Sequence, residues 1–226
     1  MSMKILLTND DGYQARGINL LAELLKKYGD VYIVAPKHVM SAKSVSIVLE
    51  RPIEVKKINE YLYVTDGTPA DCVAYGLSSL GVKFDIVVSG INHGHNLSYD
   101  TMYSGTIGAC LQALTYKIPA VAISCEHNFE IVKQHFDDVF THILNLKLLS
   151  SEYLLNVNFP ISGEYKGIMD THLYYRDQAT FYKKVGEDLY QAIRELDDEH
   201  CIDPKSDVYA VNHGYISVSK LNKKLD

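Results

Sequence analysis

Short apolar runs alternate with helix-spaced residues through the first half of the chain. Lys4-Ile5-Leu6-Leu7-Thr8 reads as a buried strand, and Ile18, Leu21, Leu24 and Leu25 then fall at helical spacing until Tyr28-Gly29 stops the pattern. Val31 to Ala35 before Pro36, Asp85 to Ser89, and Ala120 to Ser124 read as further strands, with helices over Ala70 to Leu80 and Thr106 to Thr115 between them. Continuous rather than alternating apolar strands are buried on both faces, as in parallel sheets crossed by helices. The expected fold class is therefore α/β: a Rossmann-like, mostly parallel sheet with helices on both faces.

Between the second and third of these strands, Ser44 to Leu49, Pro52 to Lys57 and Tyr61 to Thr65 read as hairpin-type excursions. The last hundred residues are less regular. Tyr153 to Phe159 reads as a strand ending at Pro160, Phe181 to Glu199 mixes aromatic and charged residues, and Val208 to Val218 alternates as a strand broken at Gly214. No linker or internal repeat divides the chain. We expect one domain over residues 1–226, with the site in an α/β core at 1–125 and the remainder holding the last core elements and a β-rich oligomerisation arm.

Composition narrows the functional classes. The 226 residues carry 22 Lys and Arg against 28 Asp and Glu, and the excess lies in residues 126–226, where 17 acidic side chains face 11 basic ones. No basic run suggests a groove for a nucleic acid polymer. No apolar stretch approaches the roughly 18 residues of a membrane span, and the start lacks a signal-type apolar core. The four cysteines, Cys72, Cys110, Cys125 and Cys201, have neither disulfide-framework nor zinc spacing. A cytoplasmic protein with reduced thiols is expected.

In open α/β sheets the ligand crevice lies beyond the carboxyl ends of the strands. The residues there are Asn9-Asp10-Asp11-Gly12 after the first strand, Ser41, Lys43 and Ser44 after the second, and Ser89-Gly90-Ile91-Asn92-His93-Gly94-His95-Asn96 after a later one. Adjacent aspartates repel unless a cation or hydrogen-bond donors compensate. With Ser41 and Asn92 on neighbouring loops, this hard oxygen set suits magnesium or manganese better than zinc. Tyr103-Ser104-Gly105-Thr106-Ile107-Gly108-Ala109 opens a helix, whose N-terminal amides suit a phosphate, although the same residues serve equally as an ordinary cap. Gly67 to Cys72, G-T-P-A-D-C, is similarly open between a cap and a functional turn.

These segments resemble one family in order and register. I-L-L-T-N-D-D-G with A-x-G-I, V-A-P followed by Ser41, Ser44, Ser46 and Ile47, G-T-P-A-D-C-V, V-S-G-I-N-x-G-x-N and Y-S-G-T-x-G-A are similar to those of the survival protein E (SurE) metal-dependent nucleotidases. An echo follows in Ser206-Asp207 through Val218. The resemblance implies a phosphomonoesterase acting on nucleoside 5′- and 3′-monophosphates, some members also trimming short polyphosphate. It implies one divalent ion on Asp10, Asp11, Ser41 and Asn92, with Asp10, Asp11 and Asn92 catalytic. Asn9, Asn96, Ser104, Gly105 and Thr106 are expected around the phosphate, in a homodimer or homotetramer. Two departures stand out: Ala42 follows Ser41 where the family commonly has Gly, and His93 replaces a small residue. Residues 160–205 match poorly.

Metal-activated water is the expected nucleophile, with Asp11 a candidate base and His38, His93 and His95 candidate acids for the leaving group. Tyr103 is the candidate for stacking on a base. The competing reading is a catalytically inactive nucleotide- or phosphate-binding protein of the same fold. A phosphoaspartyl enzyme would need Asp-x-Asp, and a receiver-type switch would need an aspartate where Asn92 stands.

Overall fold

The computed structural model describes residues 2–126, 129–161, 164–175, 178–196 and 201–222, and bears out the α/β expectation. In chain order the core elements are β1 (Met3–Thr8), α1 (Arg16–Leu25), β2 (Gly29–Pro36), β3 (Val55–Lys57), β4 (Leu62–Thr65), α2 (Pro69–Ser79) and β5 (Ile86–His93). They continue with α3 (Asp100–Tyr103), α4 (Gly105–Thr115), β6 (Ala120–Cys125), α5 (Glu130–Asn145) and β7 (Tyr153–Asn158). The chain then forms β8 (Gly167–Thr171), β9 (Gln178–Gly186), β10 (Leu189–Leu196), α6 (Asp207–Asn212) and β11 (Tyr215–Asn222).

Nine strands form one sheet in the order β3-β4-β2-β1-β5-β6-β7-β11-β8. From β4 to β7 every neighbouring pair is parallel, whereas β11 runs antiparallel to β7. Strand order reverses at β1, which lies between β2 and β5, so the crevice for a ligand opens at their carboxyl ends. Alternate residues of each strand feed opposite cores. Ile5, Leu7, Ile86 and Val88 pack with α1 and α5, while Leu6, Val87, Cys72 and Ile107 form the layer beneath α2 and α4.

Three sequence expectations are corrected. Ser44 to Leu49 is an irregular loop, because its amides bond elsewhere: Ser44 N donates to Tyr103 O at 2.9 Å and Val48 N to the Asp71 carboxylate. Only β3 and β4 form the expected hairpin. Val208 to Asn212 is helical, since the Ser206 hydroxyl caps α6 by accepting from Tyr209 N and Val208 and Val211 are buried together. The region after residue 125 is also more regular than expected. Val132, Phe136, Val139, Phe140 and Ile143 line the buried face of the 16-residue α5. Most of the antiparallel β9–β10 hairpin falls within Phe181 to Glu199; residues 197–199 lie outside the described residues.

Candidate active site

Asp10 is the centre of the crevice and is only 4% exposed. The turn that presents it is tied to both neighbouring loops. Asn9 Nδ2 donates to Gly12 O at 2.9 Å, Tyr13 N to Pro36 O at 2.9 Å, and Met40 N to Asp10 O at 2.7 Å. The last bond puts Ser41, itself exposed, one residue from a direct backbone contact with Asp10. On the other side, His93 N donates to Asp11 Oδ2 at 3.1 Å, which fixes that carboxylate against the end of β5 next to Asn92. Asn92 Nδ2 donates to Gly94 O at 2.9 Å, so the amide is oriented by its nitrogen and its oxygen is not the atom in that bond.

The α4 N-terminus meets Asp10 from above. Thr106 Oγ1 donates to Asp10 Oδ1 at 2.7 Å, and a Cβ at Gly105 would stand 2.9 Å from Asp10 Cβ and 3.0 Å from its Oδ2. Glycine is what permits this approach. The hydroxyl of Ser104 is the helix cap, accepting from Ile107 N at 3.1 Å. The two residues that could have been hydroxyl ligands thus hold the helix and Asp10 in place. The anion-facing groups left at this end are the Gly105 and Thr106 amides, which in the first turn have no intrahelical acceptor.

Burial pushes the Asp10 carboxyl up to about 6; the Thr106 hydrogen bond opposes this, and the Asp11 charge adds to it. Among the described residues, no lysine, arginine or histidine is among the groups acting on Asp10. Asn9 Oδ1 is buried without a hydrogen-bond partner among the described residues. Two adjacent carboxylates, one of them buried, with an orphaned amide oxygen beside them form a site short of positive charge, which a hard divalent cation would supply. Among the described residues no three His, Cys, Asp or Glu side chains gather to favour zinc.

Asn96 is as buried as Asp10. It is 4% exposed; its Nδ2 donates to Ser124 Oγ at 2.7 Å, its N to Asn158 Oδ1 at 2.9 Å, and its O accepts from Asn156 and Asn158. Those bonds hold the loop after β5. Asn156 and Asn158 were not picked out by the sequence reading; their signal is two amides alternating at the buried positions of an otherwise apolar strand, L-L-N-V-N-F. Of the histidines, His95 Nε2 lies 2.8 Å from Phe159 O, so that nitrogen carries the proton, whereas the His38 and His93 side chains are in exposed residues. Tyr103 is half-exposed and lies beneath the Arg194 guanidinium of β10, 5.4 Å from the ring centroid. Arg194 also pairs with Asp100, tying the hairpin to α3.

The loop after β2 departs from regular backbone where Ala42 stands, at φ 57°, followed by Ser44 at φ 52°. Alanine is strained by about 1 kcal/mol in this left-handed region. Ala42→Gly is expected to raise stability by up to about 1 kcal/mol, less what glycine loses in the unfolded chain. Urea unfolding checks it; a lower midpoint for the variant would refute the strain.

The profile of the family described as Survival protein SurE matches residues 5–180. A protein from Thermoanaerobacter sp. (strain X514) named 5'-nucleotidase SurE is 37% identical over 234 residues, spanning 97% of this chain and 92% of that one. One of the same name from Clostridium botulinum (strain 657 / Type Ba4) is 37% identical over 238 residues, spanning 99% and 94%. The crystal structure of the SurE protein from Aquifex aeolicus superposes with a TM-score of 0.82 at 34% identity, over 99% of this chain and 94% of that one. With the fold, the acidic crevice and these matches in agreement, the chain belongs to the SurE family.

Proposed function

We propose that the protein is a divalent-metal-dependent phosphomonoesterase that hydrolyses nucleoside 5′-monophosphates to nucleoside and phosphate. The observation that carries this reading is the pair of adjacent carboxylates, Asp10 buried against the first turn of α4 and Asp11 held at the end of β5. Asp10, Asp11, Ser41 and the Asn92 amide oxygen would hold one magnesium or manganese ion. When bound, such an ion polarises the phosphoryl oxygens and lowers the pKa of a coordinated water. The Thr106 hydroxyl fixes the orientation of the Asp10 carboxylate, and the His93 amide does the same for Asp11, so that both would be set to hold the ion. The Gly105 and Thr106 N–H groups would receive the phosphate and stabilise its developing charge. His38 and His93, both exposed, would be the candidates to hand a proton to the leaving alkoxide.

The reading extends to 3′-monophosphates and short polyphosphate. Four free thiols, three of them buried, suit action in the reducing cytoplasm. Apolar side chains on the β9–β10 hairpin, Tyr182, Val185, Leu189 and Tyr190, are 56–68% exposed, which supports a homodimer or homotetramer that covers them. Light scattering should return two or four chain masses; a monomer would defeat that part.

Phosphate release from 5′- and 3′-monophosphates is the direct test, run with magnesium, manganese or EDTA. Release with metal and at least a hundredfold less in EDTA is expected. Equal release in EDTA would overturn the metal-dependent reading, and none under any condition would favour the binding protein.

A further inference from the structure

Asn92, Gly105 and Thr106 belong to one continuous stretch of chain, so whatever fixes the middle of that stretch sets the spacing of the whole site. That middle is Asn96-Leu97-Ser98, and each residue is held from a different direction. Asn96 is bonded to the β6 and β7 side chains described above. Leu97, 5% exposed, packs on Val208 and Val211 of α6. Ser98 N donates at 2.8 Å to Oδ2 of Asp207, a fully buried carboxylate more than a hundred residues further along. The other Asp207 oxygen accepts from Tyr174 N at 2.8 Å and Val208 N at 2.9 Å. Ser98 itself is left-handed, at φ 51°, a strained conformation for a side-chain-bearing residue that persists only where its surroundings enforce it.

We infer that Asp207 is a positioning residue for the reaction: its bond to Ser98 N locks the left-handed kink that holds Asn92 and the α4 N-terminus at their working separation. This rests on the nucleotidase reading. The path runs through covalent structure, because Ser98 leads directly into α3, and Ser104 at the end of α3 caps α4. Thr101 Oγ1 donating to Ser98 O at 2.7 Å stiffens the same turn. A shift of about 1 Å in such a frame is enough to lower turnover by an order of magnitude or more.

Asp207→Asn is the informative substitution. Its single amide oxygen is best placed toward the two N–H groups of Tyr174 and Val208, which turns the NH2 against Ser98 N–H. The expected result, well below the unfolding temperature, is a fall in kcat of tenfold or more with faster amide exchange across residues 94–104. Adding Ser98→Gly, which relaxes the kink without touching Asp207, should recover at least threefold of the loss; a merely structural defect would not respond. Should Asp207→Asn fail to fold, Leu97→Ala is read in the same way. Turnover within twofold of wild type, slower turnover without faster exchange, or no recovery with Ser98→Gly would each overturn the inference. Wild-type protein that releases no phosphate would defeat the nucleotidase reading instead, and exchange together with calorimetric binding of inorganic phosphate would then decide the anchor.

Discussion

Asp10→Asn should abolish metal-dependent phosphate release while making the metal-free protein harder to unfold. The two effects share one cause. Burial and the neighbouring Asp11 charge raise the Asp10 carboxyl from an ordinary 3.8 to about 6. A carboxyl with a raised folded-state pKa favours the folded state fully below its unfolded value, and that advantage is lost as pH rises through the folded value. Ionising Asp10 therefore costs the metal-free protein about 3 kcal/mol by pH 7, from a shift of roughly two units at 1.36 kcal/mol each. Asparagine keeps an oxygen for the Thr106 hydroxyl and removes the charge. Thermal unfolding in EDTA should give melting temperatures that coincide below pH 4, diverge between pH 4 and about 6 and stay apart above that, the variant higher by several degrees at about 2–4 °C per kcal/mol for a chain of this size. Magnesium or manganese should reverse the order by stabilising the wild type alone. A variant less stable than wild type in EDTA at pH 8 would show that Asp10 is compensated by the protein itself, and retained metal-dependent turnover would remove it from the metal site.

The central sheet was legible because its strands are continuous apolar runs with punctuation at both ends, and Lys4 to Thr8 could hardly be anything else. The candidate site was legible for a related reason: its residues cluster just beyond those runs. Three things were hidden. The α5 helix carries its apolar residues at proper spacing, but charged and histidine residues between them blur the stripe. Residues 208–212 fit either period over so short a span, and the decision came from the Ser206 cap. The supports of the site were hidden most deeply, since Asn156, Asn158 and Asp207 hydrogen-bond to backbone atoms of the loop after β5 across 60 to 109 positions. Backbone partners, donor or acceptor, leave no complementary side chain in the sequence to be paired with. Ser104 and Thr106 show the converse. Their positions were visible, while their hydroxyls serve the helix cap and Asp10.

Gly108→Ala should loosen the site from behind without altering any residue that faces the crevice. A Cβ there would fall 1.9 Å from Ser44 O and 2.7 Å from Val45 N, both backbone atoms with no side chain to swing aside. The helix and the loop must therefore separate. What resists is considerable: Ser44 N bonds to Tyr103 O, Ser44 Oγ donates to Met102 O at 2.8 Å, and Thr68 Oγ1 donates to Ser46 O at 2.6 Å. Overpacking of this kind costs about 1–3 kcal/mol, which lowers the melting temperature by several degrees. The functional effect should exceed that loss of stability. Ser41 lies on the displaced loop and Gly105 on the displaced helix, so the oxygen donors and the anion-binding amides move apart together. At a temperature where the variant is fully folded, metal affinity should fall about tenfold or more and phosphate release further still, because each depends on that separation. Calorimetric titration with manganese beside a steady-state phosphate assay reads both. Wild-type affinity and turnover in a variant that is merely less stable would mean that the loop after β2 does not belong to the site, and Ser41 would leave the set of metal ligands.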